Sequence, residues 1–355
     1  MILLKSLWRD DTALRFHLRT DPRMWAWSLR FLANCTTERS RLYTAIKLRL
    51  CLYSQRVLRE TAQEAGIAYD GVDRGLLYLY RDKEHLAQGV ANMALLRDNG
   101  AKLEAADPDR CVEIEPALAS ARSKLAGGIF APEDASGDSR KFAQGLAARC
   151  RELGVAFELG TTITALRGDR QRVRDVLTDR GSIAGDHYVL ALGSYSPLLA
   201  RELGLRLPIY PVKGYSVTLP TADGAGVPLV GGVDEANLVA YCRMGDRLRL
   251  TATADFAGYD TGHQPADFAG MLRVARDLFP AGGDYGKPAY WSCLRPMTPD
   301  GPPILSGSPV QNLTLNTGHG HMGWTMSCGS ARIVADLING RAPEIDITGM
   351  TVDRY

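Results

Sequence analysis

With 355 residues, 42 lysines and arginines against 40 aspartates and glutamates and a formal net charge of +2, the chain has no bulk electrostatic pull toward nucleic acid. Its 45% hydrophobic and 23% charged content is that of a globular chain able to bury one large core or two medium ones. No apolar run reaches the roughly 18–20 residues a membrane span needs, and the opening MILLKSLWRDDTALR meets its charges too early for a signal peptide.

The expected setting is therefore the cytoplasm, with no transmembrane segment. Seven cysteines, Cys35, Cys51, Cys111, Cys150, Cys242, Cys293 and Cys328, form no CxxC pair, and an odd number argues against a disulfide framework. A reducing compartment follows, with most of them acting as small core hydrophobes.

In chain order, Leu42, Ile46, Leu50, Tyr53, Val57 and Leu58 recur at spacings of three and four, which predicts a long amphipathic helix over 41–65 closed by Gly66. GLLYLY (75–80) reads as a strand, KEHLAQGVANMALLRDNG (83–100) as a helix with an Asn-Gly stop, and PDRCVEIEPAL (108–118) as a helical turn. From 127 the pattern changes to a strand and loop, a helix over 139–153 capped by Asp138, and a strand over 155–167. A hairpin and the run YVLALG follow, the latter apolar on both faces as a buried parallel strand would be.

Between 207 and 256 come four short runs rich in β-branched and aromatic residues, YPVKGYSVTLP, VPLVGGVD, NLVAYCRM and RLRLTATADF, which predict a mostly antiparallel sheet. A helix over 267–279, a strand LTLNT and a final helix over 325–338 ending at Asn339-Gly340 complete the chain.

The last strand and helix enclose Gly318, Gly320 and Gly323, a Gly-x-Gly-x-x-Gly pattern. As a dinucleotide fingerprint it fails, because the βαβ unit needs a further strand bearing an acid, and Asp336 lies inside the helix itself. Two readings stay open on the residues alone. The glycines serve tight packing, or they let backbone approach a flat ligand whose electron-rich edge meets the free amides of a helix N-terminus. His319, His321 and Cys328 offer three zinc-type ligands, but the histidines would need an extended loop and no fourth ligand is near, so no metal is expected.

Read together, VLALGSYSPLL (189–199), YPVKGYSVTLP (210–220), CLRPMTPDGPPILS (293–306) and the stretch 315–355 closely resemble the D-amino acid dehydrogenase small subunits of the FAD-dependent D-amino acid oxidase superfamily. The resemblance runs from about residue 3 to 355. It implies an α/β (α+β) fold with an FAD-binding, Rossmann-like parallel sheet and a second, mostly antiparallel substrate domain. The division expected is 127–206 with 290–355 for FAD, and 1–126 with 207–289 for the substrate or cap domain.

It also implies FAD as cofactor and oxidative deamination of a D-amino acid to a 2-oxo acid and ammonia, the α-hydrogen leaving as hydride. Electrons would pass to a quinone or respiratory acceptor, with peripheral attachment at the inner face of the cytoplasmic membrane. Arg295 would grip the substrate carboxylate bidentately, and Tyr215 and His319 complete the catalytic set. Gly193, Ser194, Gly318, His319, Gly320, Met322, Gly323, Trp324 and Thr325 would contact the cofactor. Secondary-amine substrates of the proline or sarcosine type share every motif.

One departure stands out. Members of that family open with a strand, a glycine turn and a helix for the FAD diphosphate, a unit on the order of 30 residues or more; no segment here matches it. The expectation is a sheet lacking its innermost strand, and with it the alternatives of an inactive remnant or a protein completed by a partner chain.

Overall fold

Side chains that accept from backbone amides mark where the helices begin. In a computed structural model that describes residues 14–17, 20–221, 224 and 226–355, Asp21 accepts from Arg23 N to start α1 (Pro22–Asn34), and Thr36 from Arg39 N to start α2 (Thr37–Glu64). Asp82 caps α3 (Lys83–Asp98), Asp107 caps α4 (Pro108–Ile114), and Asp138 accepts from Arg140 N and Lys141 N at the head of α5 (Ser139–Glu152). Each satisfies a donor that the helix cannot pair internally, a contribution of about 1 kcal/mol apiece. The opening run at Met1–Leu4 lies outside the described residues.

The chain divides into two units, each assembled from three separated stretches. The first comprises residues 1–19, 68–143 and 212–294. Its described strands are β1 (Leu14–Phe16), β2 (Leu76–Tyr80), β3 (Glu104–Ala106), β4 (Gly127–Ala131), most of β9 (Tyr210–Pro220), β10 (Gly231–Asp234), β11 (Val239–Met244), β12 (Arg247–Phe256) and most of β13 (Ala289–Met297). They form one nine-stranded sheet in the order β13-β9-β12-β11-β10-β2-β4-β3, with β1 on β12.

The neighbours β9-β12, β12-β11, β11-β10, β2-β4 and β4-β3 are antiparallel. The pairs β2 on β10 and β1 on β12 are parallel. The mostly antiparallel sheet expected from 207–256 is therefore present. One face carries Leu77, Leu79, Val217, Leu219, Leu248 and Leu250 onto helix α7 (Ala269–Leu278) and Phe279, all buried.

The second unit comprises residues 20–67, 144–211 and 295–355. It holds a three-stranded meander of β5 (Ile163–Gly168), β6 (Val173–Thr178) and β7 (Gly181–Ala184), and a three-stranded sheet in the order β14 (Ile304–Gly307), β15 (Leu313–Thr317), β8 (Tyr188–Leu190). In the latter β8 and β15 run parallel. Short helix α6 (Ser196–Ala200) follows β8, and α8 (Gly323–Ile338) follows β15.

Helix α2 lies along α8 at a glycine: the N–H of Gly329 donates to Ser54 Oγ at 3.0 Å. A Cβ on Gly329 would stand 2.8 Å from Ser54 Cβ, so only glycine permits this approach.

Three expectations need correction. Residues 155–162 form no strand, and Leu153, Val155, Phe157 and Leu159 are exposed, with Leu159 at 67%. Their alternation is that of a strand, but among the described residues no partner strand lies beside them, and without a ladder the pattern alone does not fix one. Strand β8 is parallel as expected but not buried on both faces: it is an edge strand and Val189 is 45% exposed. Among the cysteines, all free, Cys51, Cys111 and Cys328 are buried while Cys35 and Cys293 are exposed, so a core role holds only for the former.

The unit boundaries also differ from the expected division. Helix α2 falls in the second unit because its buried face is taken up along α8, and β4 falls in the first because it pairs with β2 and β3. Local composition does not reveal which sheet or helix a segment will pack on.

Candidate active site

The site is built in the second unit where β15 ends. Thr317 Oγ1 donates to the carbonyl of Gly193 at 3.2 Å and shares a 2.9 Å hydrogen bond with Ser196 Oγ, which locks the turn after β8 to the end of β15. The chain then turns through Gly318 at φ +80 and Gly320 at φ +59, both left-handed, as is Gly193 at φ +53. A Cβ on Gly318 would lie 2.8 Å from Thr298 Cγ2, and one on Gly320 would lie 3.0 Å from Met297 Sδ. The glycines are thus required by backbone sign and by space, and the surface they leave is bare peptide.

Helix α8 begins immediately afterwards. No side chain caps its N-terminus and its first turn carries no acid, so its leading amides and positive dipole end offer an unneutralised site for an electron-rich group. Met322 is the N-cap residue, Gly323 opens the helix, and half-buried Trp324 and exposed Thr325 follow.

His319 precedes this turn and is half-buried, with Nε2 3.0 Å from Ser330 Oγ. Burial pulls its pKa down to about 4, so the imidazole is neutral at physiological pH. His321 is more exposed, and it too is pulled down, first by the atoms packed around its ring and then by the charges of Lys47 and Arg295.

Arg295 reaches this loop through backbone pairing. Met297 and His319 form an isolated antiparallel bridge, and the carbonyl of Met297 also accepts from Trp27 Nε1 at 2.8 Å. The end of β13 is therefore fixed alongside the glycine turn, with half-buried Arg295 two residues from the bridge. Gly193 and buried Ser194 stand at the turn after β8, where a Cβ on Gly193 would meet the Pro296 ring at 3.6 Å. The structure thus gathers Gly193, Ser194, Arg295, Gly318, His319, Gly320, Met322, Gly323, Trp324 and Thr325 within one unit.

Tyr215 lies in the other unit, on β9, and is only 2% exposed. Its hydroxyl donates to Asp255 at 2.7 Å, and its ring is flanked by Arg15 and Lys213 and packed edge-on against Phe268. Burial, then the Asp255 carboxylate, pushes its pKa well up. Asp255 reaches it because the register of β12 against β9 slips between Ala252 and Asp255, with Thr253 left-handed at φ +64. Among the described residues no group of three or more His, Cys, Asp or Glu is placed to hold a metal ion.

The model of a family described as FAD dependent oxidoreductase (DAO) matches residues 13–337. The chain belongs to that FAD-dependent oxidoreductase family.

Among its relatives, a D-amino acid dehydrogenase of Paramagnetospirillum magneticum is 48% identical over 99% of this chain and 84% of its own length. D-amino acid dehydrogenase 2 of Mesorhizobium japonicum is 46% identical over 98% of this chain and 84% of its own. Of solved structures, a glycine oxidase from Geobacillus kaustophilus matches with a TM-score of 0.77 at 25% identity, over 86% of this chain and 82% of that one. An L-proline dehydrogenase from P. horikoshii, at 0.76 and 17% over the same shares, shares the fold. The mixed α/β architecture is that of DAO-family oxidoreductases.

FAD is the family's cofactor, and the residues fit it. Bare left-handed backbone at Gly193, Gly318 and Gly320 admits a flat ring system, and the uncapped head of α8 suits the electron-rich carbonyl edge of a flavin. What the sequence did not expose is the surroundings of this loop: Ser330 against His319 and Ser196 against Thr317 are each remote in the chain and invisible to local pattern.

Proposed function

We propose that the chain is an FAD-dependent D-amino acid dehydrogenase that converts a D-amino acid to its 2-oxo acid and ammonia and passes the electrons to a quinone-type acceptor. The observation that carries the reading is the Met297–His319 bridge, which sets Arg295 beside the glycine turn in a chain 43–48% identical to relatives named D-amino acid dehydrogenase. When bound, the flavin supplies the two-electron acceptor.

The chain's own residues bind and orient. The Arg295 guanidinium holds the substrate carboxylate through paired N–H bonds, which fixes the face from which the α-hydrogen leaves. His319, neutral and tied to Ser330, adds a polar group without adding a charge beside the ring. Gly193, Ser194, Gly318, Gly320, Met322, Gly323, Trp324 and Thr325 would hold the flavin ring. Tyr215 takes no proton step, since its hydroxyl is already given to Asp255. In this reading the second unit binds the flavin and carries the carboxylate clamp Arg295. The relatives' names favour primary D-amino acids over secondary amines.

The acceptor assignment is supported by helix α1. Trp25, Leu29 and Leu32, at spacings i, i+4 and i+7, are 44%, 68% and 53% exposed, and Arg23 and Arg30 flank them. An aromatic-aliphatic stripe beside arginines suits the surface of a bilayer, where a quinone is dissolved. No helix among the described residues is long and apolar enough to cross a membrane. A partner-completed enzyme is the second reading, supported by the exposed row Leu153, Val155, Phe157 and Leu159.

The test is anaerobic mixing of the flavin-loaded protein with D-alanine, which bleaches the visible flavin absorbance; an unchanged spectrum overturns the proposal. Arg295→Ala keeps its flavin and loses on the order of 100-fold in kcat/KM, the worth of one charge-assisted pair of hydrogen bonds. Protein that is colourless alone and gains colour on coexpression with a second chain would establish the partner-completed reading.

A further inference from the structure

Both ends of one proline-rich turn lie against the glycine turn. Met297 bridges to His319, and Ile304 opens β14 opposite Thr317. Between them Thr298 stands against Gly318, its Cγ2 2.8 Å from the place a Cβ there would occupy. The conformation of residues 298–303 therefore sets how 297 and 304 are spaced along the segment 317–319.

That turn has few donors of its own, because Pro299, Pro302 and Pro303 carry no N–H. Buried Thr298 supplies the internal contacts: its Oγ1 donates to the carbonyl of Pro302 at 2.9 Å and accepts from Gly301 N at 3.2 Å. Further donors arrive from a distant stretch. Arg354 Nη2 donates to the carbonyl of Pro302 at 2.7 Å, Nη1 to that of Pro303 at 3.1 Å, and Nε to the Asp300 carboxylate at 2.8 Å. The Tyr355 hydroxyl donates to the other Asp300 oxygen and accepts from Arg354 Nη2 at 2.8 Å.

Arg354 is itself anchored. Its Nη1 also donates to the carbonyl of Thr351 at 2.9 Å. The preceding residues are tied to β14, where Leu305 N donates to the carbonyl of Met350 at 2.7 Å and Val352 N donates to Ser306 Oγ at 3.1 Å. The Arg354 side chain is 11% exposed and that of Asp300 3%. A buried carboxylate that loses its cation is left uncompensated and turns toward water, which displaces the backbone that carries it. Only a planar guanidinium fork reaches two carbonyls and a carboxylate at once.

We infer that Arg354, Tyr355 and Asp300 are positioning residues: they fix the turn 298–303 and through it align the end of the strand bearing Arg295 with the glycine turn. Flavin affinity and substrate alignment then both depend on a guanidinium assigned to neither ligand. This rests on the reading above, in which Arg295 clamps the substrate and the glycine turn receives the flavin.

The test compares the wild type with Arg354→Met, which keeps the stem and removes the donors, and with Leu166→Ala, a core truncation in the same unit that controls for stability alone. In Arg354→Met the dissociation constant for FAD rises about 10-fold, and at saturating FAD kcat/KM for D-alanine falls about 10-fold. Leu166→Ala lowers Tm and leaves both constants at wild-type values. The protein without flavin has its own readout. The indole N–H resonance of Trp27, identified by its loss in Trp27→Phe, reports the hydrogen bond to Met297 and shifts in Arg354→Met but not in Leu166→Ala.

Arg354→Lys restores a charge beside Asp300 without the fork and recovers only part of the FAD affinity. Should Arg354→Met fail to fold, Tyr355→Phe carries the same test, since it removes one hydroxyl and leaves the guanidinium in place, with changes of about 3-fold in the same direction. Wild-type FAD affinity with an unmoved Trp27 resonance in the folded variant overturns the inference, whatever its Tm, and so do equal changes in Leu166→Ala. Uptake of FAD by a wild type that oxidises no D-amino acid removes the dehydrogenase reading and leaves FAD affinity and the Trp27 resonance to decide the positioning role. If the wild type takes up no FAD, the resonance alone decides it.

Discussion

His319 shows how one buried side chain writes a pH dependence into the molecule. Its pKa in the folded chain is about 4 because burial penalises the imidazolium, whereas in the unfolded chain it titrates near 6.5. Between those values the unfolded state binds a proton that the folded state does not. The stability associated with this group is therefore complete above about pH 6.5 and declines as pH falls toward 4. His319→Gln keeps a polar partner for Ser330 but removes the titration, so the fall in Tm between pH 6.5 and 4 becomes shallower. Identical slopes for the two proteins would show that His319 is not held neutral by the fold. Neutrality also bears on catalysis: above pH 6.5 neither kcat nor KM should carry a step from this histidine.

At the scale of elements, the close approach of α2 and α8 is set by Gly329. Gly329→Ala forces a methyl to within 2.8 Å of Ser54 Cβ and crowds the hydrogen bond from the Gly329 amide. Overpacking of this kind costs about 1–3 kcal/mol, read as a lower denaturant midpoint with unchanged slope. Such elements were legible in the sequence where a local rule suffices. Asp138 stands at a helix start, as its sequence position suggested, because a short acceptor there meets amides two and three residues on.

The glycine turn was legible for the same kind of reason, since the left-handed backbone at Gly318 and Gly320 is disfavoured for other residues. What escaped depends on distant partners. Val155, Phe157 and Leu159 alternate as a strand does, yet no strand lies beside them among the described residues. Lys47 reads as an ordinary helix cation until Gly301 is seen next to it.

At the scale of the whole molecule, each unit is drawn from three separated stretches, and each has its own buried core: Leu77, Val217 and Leu250 in one, Leu190, Leu203 and Leu315 in the other. A chain ended at Leu294 would lose β14, β15 and α8 and with them the whole glycine turn, whatever became of the nine-stranded sheet. Charge operates at this scale too. A net +2 gives little general attraction to anionic lipid, so the proposed membrane attachment would rest on the local stripe of α1. Trp25→Ser combined with Leu29→Ser then abolishes sedimentation with vesicles of anionic lipid while leaving turnover with a soluble dye acceptor intact. Undiminished sedimentation of the double variant would remove α1 from the membrane assignment.

The bridge between Met297 and His319 has a practical side. One backbone pair joins the strand that carries Arg295 to the loop that carries Gly318 and Gly320, so a change that moves either segment moves both. Variants that displace the backbone at 296–298 or 317–320, unlike truncation of the Arg295 side chain, should therefore couple catalytic loss to cofactor loss. Lys47 belongs to neither segment: it approaches the turn at Gly301 from helix α2.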